Sequence, residues 1–218
     1  VHFMIGAVVL DAFGTIVRIT QRTNPYRELI RESQRQGRMS GSAALRLLMT
    51  TDLAFDEAAA LLGVSLTSAK LGQLSQALTV ELSSIQPFTD ATEAISHLKS
   101  AGLKVGICSN LAAPYGPIIR RLFPGLDVYA FSYALGIMKP DPEIYRSVSS
   151  QMGIEPGHYL SKDSASAVMI GDSKRCDQDG PRSIGMMGFH LDRKSAGSKS
   201  DLQQFAELVM EHNHKLDR

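Results

Sequence analysis

Five side chains in this 218-residue sequence stand where reactive groups belong, each just beyond an apolar, β-prone run: Asp11, Ser109, Lys139, Asp172 and Asp177. Val8-Val9-Leu10 leads into Asp11 and a glycine-containing turn, Asp11-Ala12-Phe13-Gly14-Thr15. If one crevice gathers all five, three carboxylates face one ammonium, a net charge of about −2 in a partly dry pocket. Two like charges ~4 Å apart at an effective dielectric near 20 repel by about 4 kcal/mol. A cation is needed, and an all-oxygen donor set suits Mg²⁺, which takes one or two carboxylates with waters and substrate phosphate. Such an ion shields an anionic phosphoryl group from an attacking carboxylate. Asp11 is then the nucleophile, forming an aspartyl-phosphate intermediate. Lys139 holds Asp11 and phosphate together, and Ser109 and the loop amides after Asp11 donate to phosphate oxygens.

The elements that must position these groups follow from periodicity. The run before Asp11 reads as a buried strand, and open parallel sheets collect ligands beyond the carboxyl ends of their strands. Residues 17–86 contain no convincing strand and several helical patterns: a capped helix from Asn24-Pro25 to about Gly37, then Ser42–Met49, Phe55–Leu62 and Thr67–Ile85. Four short amphipathic helices after the first strand predict a helical cap over 17–86, inserted into a core of residues 1–16 and 87–218. A single βα crossover rarely needs so many.

From Pro87 the pattern alternates as in βαβ units. Asp90 and Glu93 suggest a capping-box start to a helix ending at Gly102, followed by a strand over Leu103–Cys108. A helix over Pro114–Leu122, a strand over Asp127–Tyr133 and a loop carrying Lys139 come next. Asp141-Pro142-Glu143 begins a helix that stops at Gly153. Gly157–Ser166 is a polar insertion with no clear assignment. Ala167–Ile170 is a buried strand, Asp177–Ile184 a helix, Met186–Leu191 a strand, and Ser195–Ser200 a flexible connection to a terminal amphipathic helix. His212 and His214 read as a frayed, solvated tail.

Composition excludes several classes. With 23 basic and 22 acidic residues the net charge is +1, which gives no general attraction to nucleic acid or anionic membrane. No apolar run approaches the roughly 20 residues of a membrane span. Two cysteines, Cys108 and Cys176, are too few for a disulfide framework, and no basic-then-apolar signal pattern opens the chain. The expectation is a cytoplasmic protein acting on a small molecule, as a monomer or homodimer.

The ordered set of motifs resembles the haloacid dehalogenase superfamily over essentially the whole chain. Asp11-Ala12-Phe13-Gly14-Thr15 is similar to its first motif, Ser109-Asn110 to the second, Lys139 to the third, and Gly171-Asp172 with Asp177 to the fourth. Residues 17–86 stand where a C1-type helical cap occurs. The resemblance implies an α/β fold, a Rossmann-like parallel-sheet core with the cap inserted, and Asp11 as nucleophile. It further implies Mg²⁺ held by Asp11, the backbone carbonyl of Phe13 and Asp172, with Asp177 assisting from the outer shell. Catalysis would involve Ser109, Asn110 and Lys139, and substrate would meet these three and the loop of Phe13, Gly14 and Thr15.

One position departs from the pattern. Phosphatases of the superfamily usually carry a second Asp where Phe13 stands, and that Asp protonates the leaving group; phenylalanine cannot move a proton. Loss of such a group forfeits on the order of 10²–10⁴-fold in rate. Members that displace halide from 2-haloacids often carry an aromatic there, but they use no metal and have a small neutral residue where Asp172 stands. Asp172 favours a Mg²⁺-dependent phosphatase of a small phosphorylated metabolite over a dehalogenase working through an Asp11 ester. A third reading is a catalytically weak regulatory protein that binds a phosphorylated ligand.

Overall fold

The computed structural model describes residues 4–154, 156, 165–194 and 201–216. Most of the polar insertion at 157–166 and all of the connection at 195–200 lie outside the described residues. Along the chain, β1 (Ile5–Leu10) and β2 (Val17–Ile19) precede α1 (Pro25–Arg35), α2 (Gly41–Met49), α3 (Phe55–Leu61) and α4 (Ser68–Ser83). Then come β3 (Ile85–Pro87), α5 (Thr89–Ser100), β4 (Lys104–Ser109), α6 (Gly116–Leu122), β5 (Val128–Phe131), α7 (Ser132–Leu135) and α8 (Pro142–Gln151). The chain closes with β6 (Ser166–Gly171), α9 (Gly180–Arg182), β7 (Met187–His190) and α10 (Leu202–Leu216).

Five strands form a parallel sheet in the order β5-β4-β1-β6-β7, an α/β Rossmann-like core as expected. A strand buried on both faces needs an unbroken apolar run rather than an alternating one. Ala7, Val8 and Val9 at the centre of β1 are fully buried. Their side chains still alternate between two apolar layers. Val8 and Leu10 join Val105, Ile107, Val168 and Ile170 on one face, in a cluster that continues into Tyr26, Leu29 and Leu48 of the helical segment. Ala7 and Val9 join Cys108, Ala130 and Met169 on the other, under Ile144, Tyr145 and Val148 of α8. The strand order reverses direction around β1, so Asp11 emerges at the carboxyl end of the central strand where such a sheet opens a crevice.

Four local expectations change. Residues 17–86 do contain strand: β2 pairs antiparallel with β3, Arg18 opposite Gln86, and α4 stops at Ser83 instead of Ile85. Each strand is only three residues long, too short for alternation to register in the sequence, and the partners are remote in the chain. The helix expected over Asp177–Ile184 begins earlier, as a π-helical turn over Lys174–Asp179 that runs into the short α9. The strand expected over Asp127–Tyr133 shrinks to β5, its last residues turning into α7. Asp90 does not cap α5; that helix starts at Thr89, and the Asp90 carboxylate is used elsewhere.

The terminal helix is docked, not frayed. α10 includes His212 and His214, and between them the Asn213 carboxamide accepts from the Ile5 N–H and donates to the Ile5 carbonyl, both at 2.8 Å. One side chain thereby anchors the start of β1, the strand that leads to Asp11. No helix among the described residues is long and apolar enough to cross a membrane. Asn213→Ala removes both bonds and is expected to lower unfolding free energy by about 1–2 kcal/mol, measured by urea denaturation.

Candidate active site

The loop after β1 is built from backbone bonds. The Asp11 N–H donates to the Ile170 carbonyl at 3.1 Å, extending the β1–β6 ladder one step and placing Asp11 beside the end of β6. The Ala12 carbonyl accepts from Thr15, Ile16 and Val17 at 3.2, 2.8 and 3.0 Å, and the Gly14 N–H donates to the Val17 carbonyl at 2.9 Å. The chain therefore doubles back and carries Phe13 outward. Gly14 has φ +81°, and a Cβ there would lie 2.0 Å from Asp172 Oδ2. Gly171 is equally constrained, since its Cβ would fall 2.3 Å from Asp177 Oδ2. Only glycine at these two positions lets the carboxylates converge.

The convergence centres on Lys139. Its ammonium is buried and donates to Asp11 Oδ1 and Asp177 Oδ1, each at 2.7 Å. Oxygens of Asp11, Asp172 and Asp177 come within 4.8 Å of one another. Burial alone would pull the Lys139 pKa down, but the two carboxylates outweigh it and hold the pKa well above its ordinary value. Burial pushes the Asp177 carboxyl up, to about 6, against the lowering pull of Lys139. Partial burial, and then the charge of Asp11, raise Asp172 as well. The cluster is short of positive charge.

The remaining oxygens show which groups are available. Asp177 Oδ1 is taken by Lys139, and its Oδ2 accepts from the Ser173 N–H at 2.9 Å across the π-helical turn. Asp172 is exposed. Around the loop, the Gly14 and Thr15 carbonyls accept from Arg193, the Ile16 carbonyl from Phe88 and the Ala12 carbonyl from three amides. Among the described residues the Phe13 carbonyl receives no such donor. Asp172 and the Phe13 carbonyl are unengaged among the described residues, and Asp11 Oδ2 has only the long 3.4 Å contact from Thr15, so these three groups could hold a hard cation.

The other sequence candidates take different places. Ser109 is buried at the end of β4, opposite Phe131. The Asn110 carboxamide pairs reciprocally with the Lys139 backbone, accepting from its N–H at 2.7 Å and donating to its carbonyl at 2.8 Å. This makes Asn110 a positioning residue for the lysine. Thr15, expected to meet substrate, is fully buried; its hydroxyl donates to Asp11 Oδ2 at 3.4 Å and accepts from the Asp172 N–H at 3.1 Å. It too positions. The Phe13 ring stands edge-on to Tyr115, centroids 5.5 Å apart, and both line a cavity of about 210 Å³. A second cavity, of about 530 Å³, is lined by Asn110, Lys139, Arg46 and Arg175.

Sequence reasoning missed Arg193, Glu81 and His190. Arg193 donates to the Gly14 and Thr15 carbonyls and to Asp90 Oδ2, with its guanidinium 3.9 Å over the Phe88 ring. Asp90 Oδ2 also accepts from the Leu202 N–H at 2.9 Å, so one arginine ties the loop after Asp11 to α5 and α10. Glu81 is buried on α4 and accepts from Thr23, Asn24 and the Tyr115 hydroxyl. His190 Nε2 lies 3.1 Å from the Asp172 carbonyl. The only signal for His190 was its place at a strand end; Arg193 and Glu81 left none.

Lys139→Met leaves two buried carboxylates facing each other without their cation. At pH 7 it is expected to destabilise the metal-free protein by about 3–5 kcal/mol in urea denaturation. The loss shrinks toward pH 5, because Asp177 then carries a proton and the missing ammonium matters less.

A profile of haloacid dehalogenase-like hydrolases matches residues 5–185. A curated mouse relative, haloacid dehalogenase-like hydrolase domain-containing protein 3, is 34% identical over 95 residues, which is 42% of this chain and 34% of that protein. The match thus spans about a third of that relative's length. A phosphatase of this family from Thermococcus onnurineus superposes with TM-score 0.60 at 20% identity, covering 94% of this chain and 98% of that one. The L-2-haloacid dehalogenase from Xanthobacter autotrophicus with chloropropionic acid covalently bound superposes with TM-score 0.57 at 26% identity, covering 94% and 88%. With the matched profile and the shared architecture added to the geometry around Asp11, the chain belongs to the haloacid dehalogenase-like hydrolases.

Proposed function

We propose that this hydrolase is a Mg²⁺-dependent phosphatase of a small phosphorylated metabolite. The observation that carries the reading is Asp172: an exposed carboxylate within 4.8 Å of two others that share a single lysine. Asp172, the Phe13 carbonyl and Asp11 Oδ2, which accepts from Thr15 at 3.4 Å, are hard donors of the kind Mg²⁺ takes. When bound, the ion neutralises charge on the transferring phosphoryl group.

The chain's own groups do the rest. Asp11 attacks phosphorus; the P–O bond to the alcohol breaks, and the leaving oxygen departs with the electron pair. Lys139 aims Asp11, held by Asn110 on its backbone and by Asp177 on its ammonium. Thr15 fixes the second oxygen of Asp11. Water then cleaves the aspartyl-phosphate. Phe13 supplies no proton, so alcohols that depart as stable anions are the better substrates. The helices over 17–86 act as the cap that closes over this chemistry.

A dehalogenase is the second reading, favoured by one observation: the Phe13 ring and Tyr115 make an apolar wall beside the nucleophile, which suits a departing halide. Assays of para-nitrophenyl phosphate and 2-chloropropionate, each with Mg²⁺ or EDTA, separate the two. Metal-dependent phosphate release is expected; halide release indifferent to EDTA would overturn the phosphatase reading.

Two further outcomes are expected. Phe13→Asp raises kcat on unactivated alkyl phosphates, by tenfold or more, while the rate on para-nitrophenyl phosphate changes little. Mg²⁺ stabilises the protein more as pH rises from 5 to 8, read as the difference in thermal midpoint with and without the ion. The sign follows from Asp172 and Asp177, whose carboxyls hold protons more tightly in the fold than in the unfolded chain. Their raised pKa values stabilise the metal-free fold at low pH and weaken it as they ionise, up to about 6 for Asp177; the cation reverses that penalty only once they are charged.

A further inference from the structure

Two successive carbonyls of the loop after Asp11, those of Gly14 and Thr15, turn to the same side chain, Arg193. In an extended strand neighbouring carbonyls point to opposite sides. Here they converge because Gly14 has φ +81°, a conformation that glycine adopts freely. The guanidinium that receives them is fixed on every side. Its Nε donates to the Gly14 carbonyl at 3.2 Å, one Nη to the Thr15 carbonyl and the other to Asp90 Oδ2 at 2.9 Å. The Phe88 ring covers its face at 3.9 Å, and the Phe88 N–H donates to the Ile16 carbonyl at 2.9 Å, so the ring is tied to the same loop.

Gly14 and Thr15 are the residues on which the two available carboxylates rest. The Thr15 hydroxyl stands between them, donating to Asp11 Oδ2 at 3.4 Å and accepting from the Asp172 N–H at 3.1 Å. Gly14 lies directly against the second carboxylate, since a Cβ there would come 2.0 Å from Asp172 Oδ2 and 2.7 Å from its Cγ. A shift of either residue therefore changes the distance between Asp11 and Asp172. It also turns the Phe13 carbonyl, which belongs to the peptide that joins Phe13 to Gly14. A planar guanidinium suits two carbonyls and a carboxylate at fixed directions; a lysine ammonium keeps the charge and loses the fork.

We propose that Arg193 is a positioning residue of this site: bonded to neither carboxylate, it sets the spacing of Asp11 and Asp172 and the direction of the Phe13 carbonyl through Gly14 and Thr15. That these oxygens then hold a cation rests on the phosphatase reading; that Arg193 sets their geometry does not. Groups that orient the ligands of a metal typically change its affinity by roughly 10–100-fold when they are replaced. Asp90 completes the arrangement, because the oxygen that holds Arg193 also accepts from the Leu202 N–H at 2.9 Å and so joins the start of α10 to the loop.

The test compares Arg193→Lys with Asn213→Ala, which loosens β1 at its other end and leaves the loop after Asp11 unaltered. In calorimetric titration with Mg²⁺, Arg193→Lys is expected to bind the ion at least tenfold more weakly than wild type, and Asn213→Ala within twofold of it. Unchanged affinity in Arg193→Lys, or equal losses in both variants, overturns the proposal, since stability alone would then explain the effect. Amide hydrogen exchange of the metal-free protein reads the geometry directly. The Asp172 N–H, bonded to the Thr15 hydroxyl, is expected to exchange at least tenfold faster in Arg193→Lys, measured against the Val9 N–H in β1 of the same variant. An unchanged ratio overturns the proposal. If wild type binds no Mg²⁺, the phosphatase reading fails and the exchange ratio alone decides. Should Arg193→Lys not fold, Asp90→Asn is judged by the same criteria, because it keeps an acceptor for Leu202 and removes the charge that aligns the guanidinium.

Discussion

A single buried ammonium holds this site together. Lys139 bridges Asp11 and Asp177 in a region where an unpaired charge would not survive, and the fold around it ensures that the bridge forms. Asn110 grips the lysine backbone, Ser173 grips the far oxygen of Asp177, and two glycines allow the carboxylates to approach. The lysine satisfies two acids and leaves Asp172 over, so the same interaction that stabilises the cluster also defines the charge it still lacks. Structure and chemistry are coupled at one nitrogen atom.

Around that nitrogen the positioning is done largely by side chains bonded to backbone. Asn110 and Asn213 each close a two-bond pair with a single residue, Lys139 and Ile5, one at the reacting end of the sheet and one at the start of its central strand. Arg193 takes two carbonyls of the loop after Asp11 while Asp90 and the Phe88 ring hold the arginine itself. Such contacts fix main-chain geometry directly, and a reactive side chain delivered on a loop needs that more than it needs further apolar burial.

Much of this was legible in the residues. Val8-Val9-Leu10 announced a strand buried on both faces, and four more apolar runs ending in polar groups announced the sheet and the crevice. Asp172 and Lys139 were legible for the same reason, since each follows a pattern that places it. Other features had no local signature. The β2–β3 ribbon depends on Arg18 meeting Gln86, far along the chain. Arg193 looked like any surface arginine, and Asn213 like part of a tail, because their partners are carbonyl groups, which every residue carries. Thr15 reads in the sequence as part of the substrate loop; in the fold it is buried and its hydroxyl turns toward Asp11.

The bond from Tyr115 to Glu81 has a consequence for how this protein can change. Tyr115 is at once a wall of the cavity and the donor that reaches α4 from the core, so one hydroxyl serves both shape and attachment. Recutting the cavity at Tyr115 would also remove this bond to α4. A change of cavity shape in a descendant sequence therefore has an easier route through Ile19, Met49 or Arg22, which line the same space without bearing that bond.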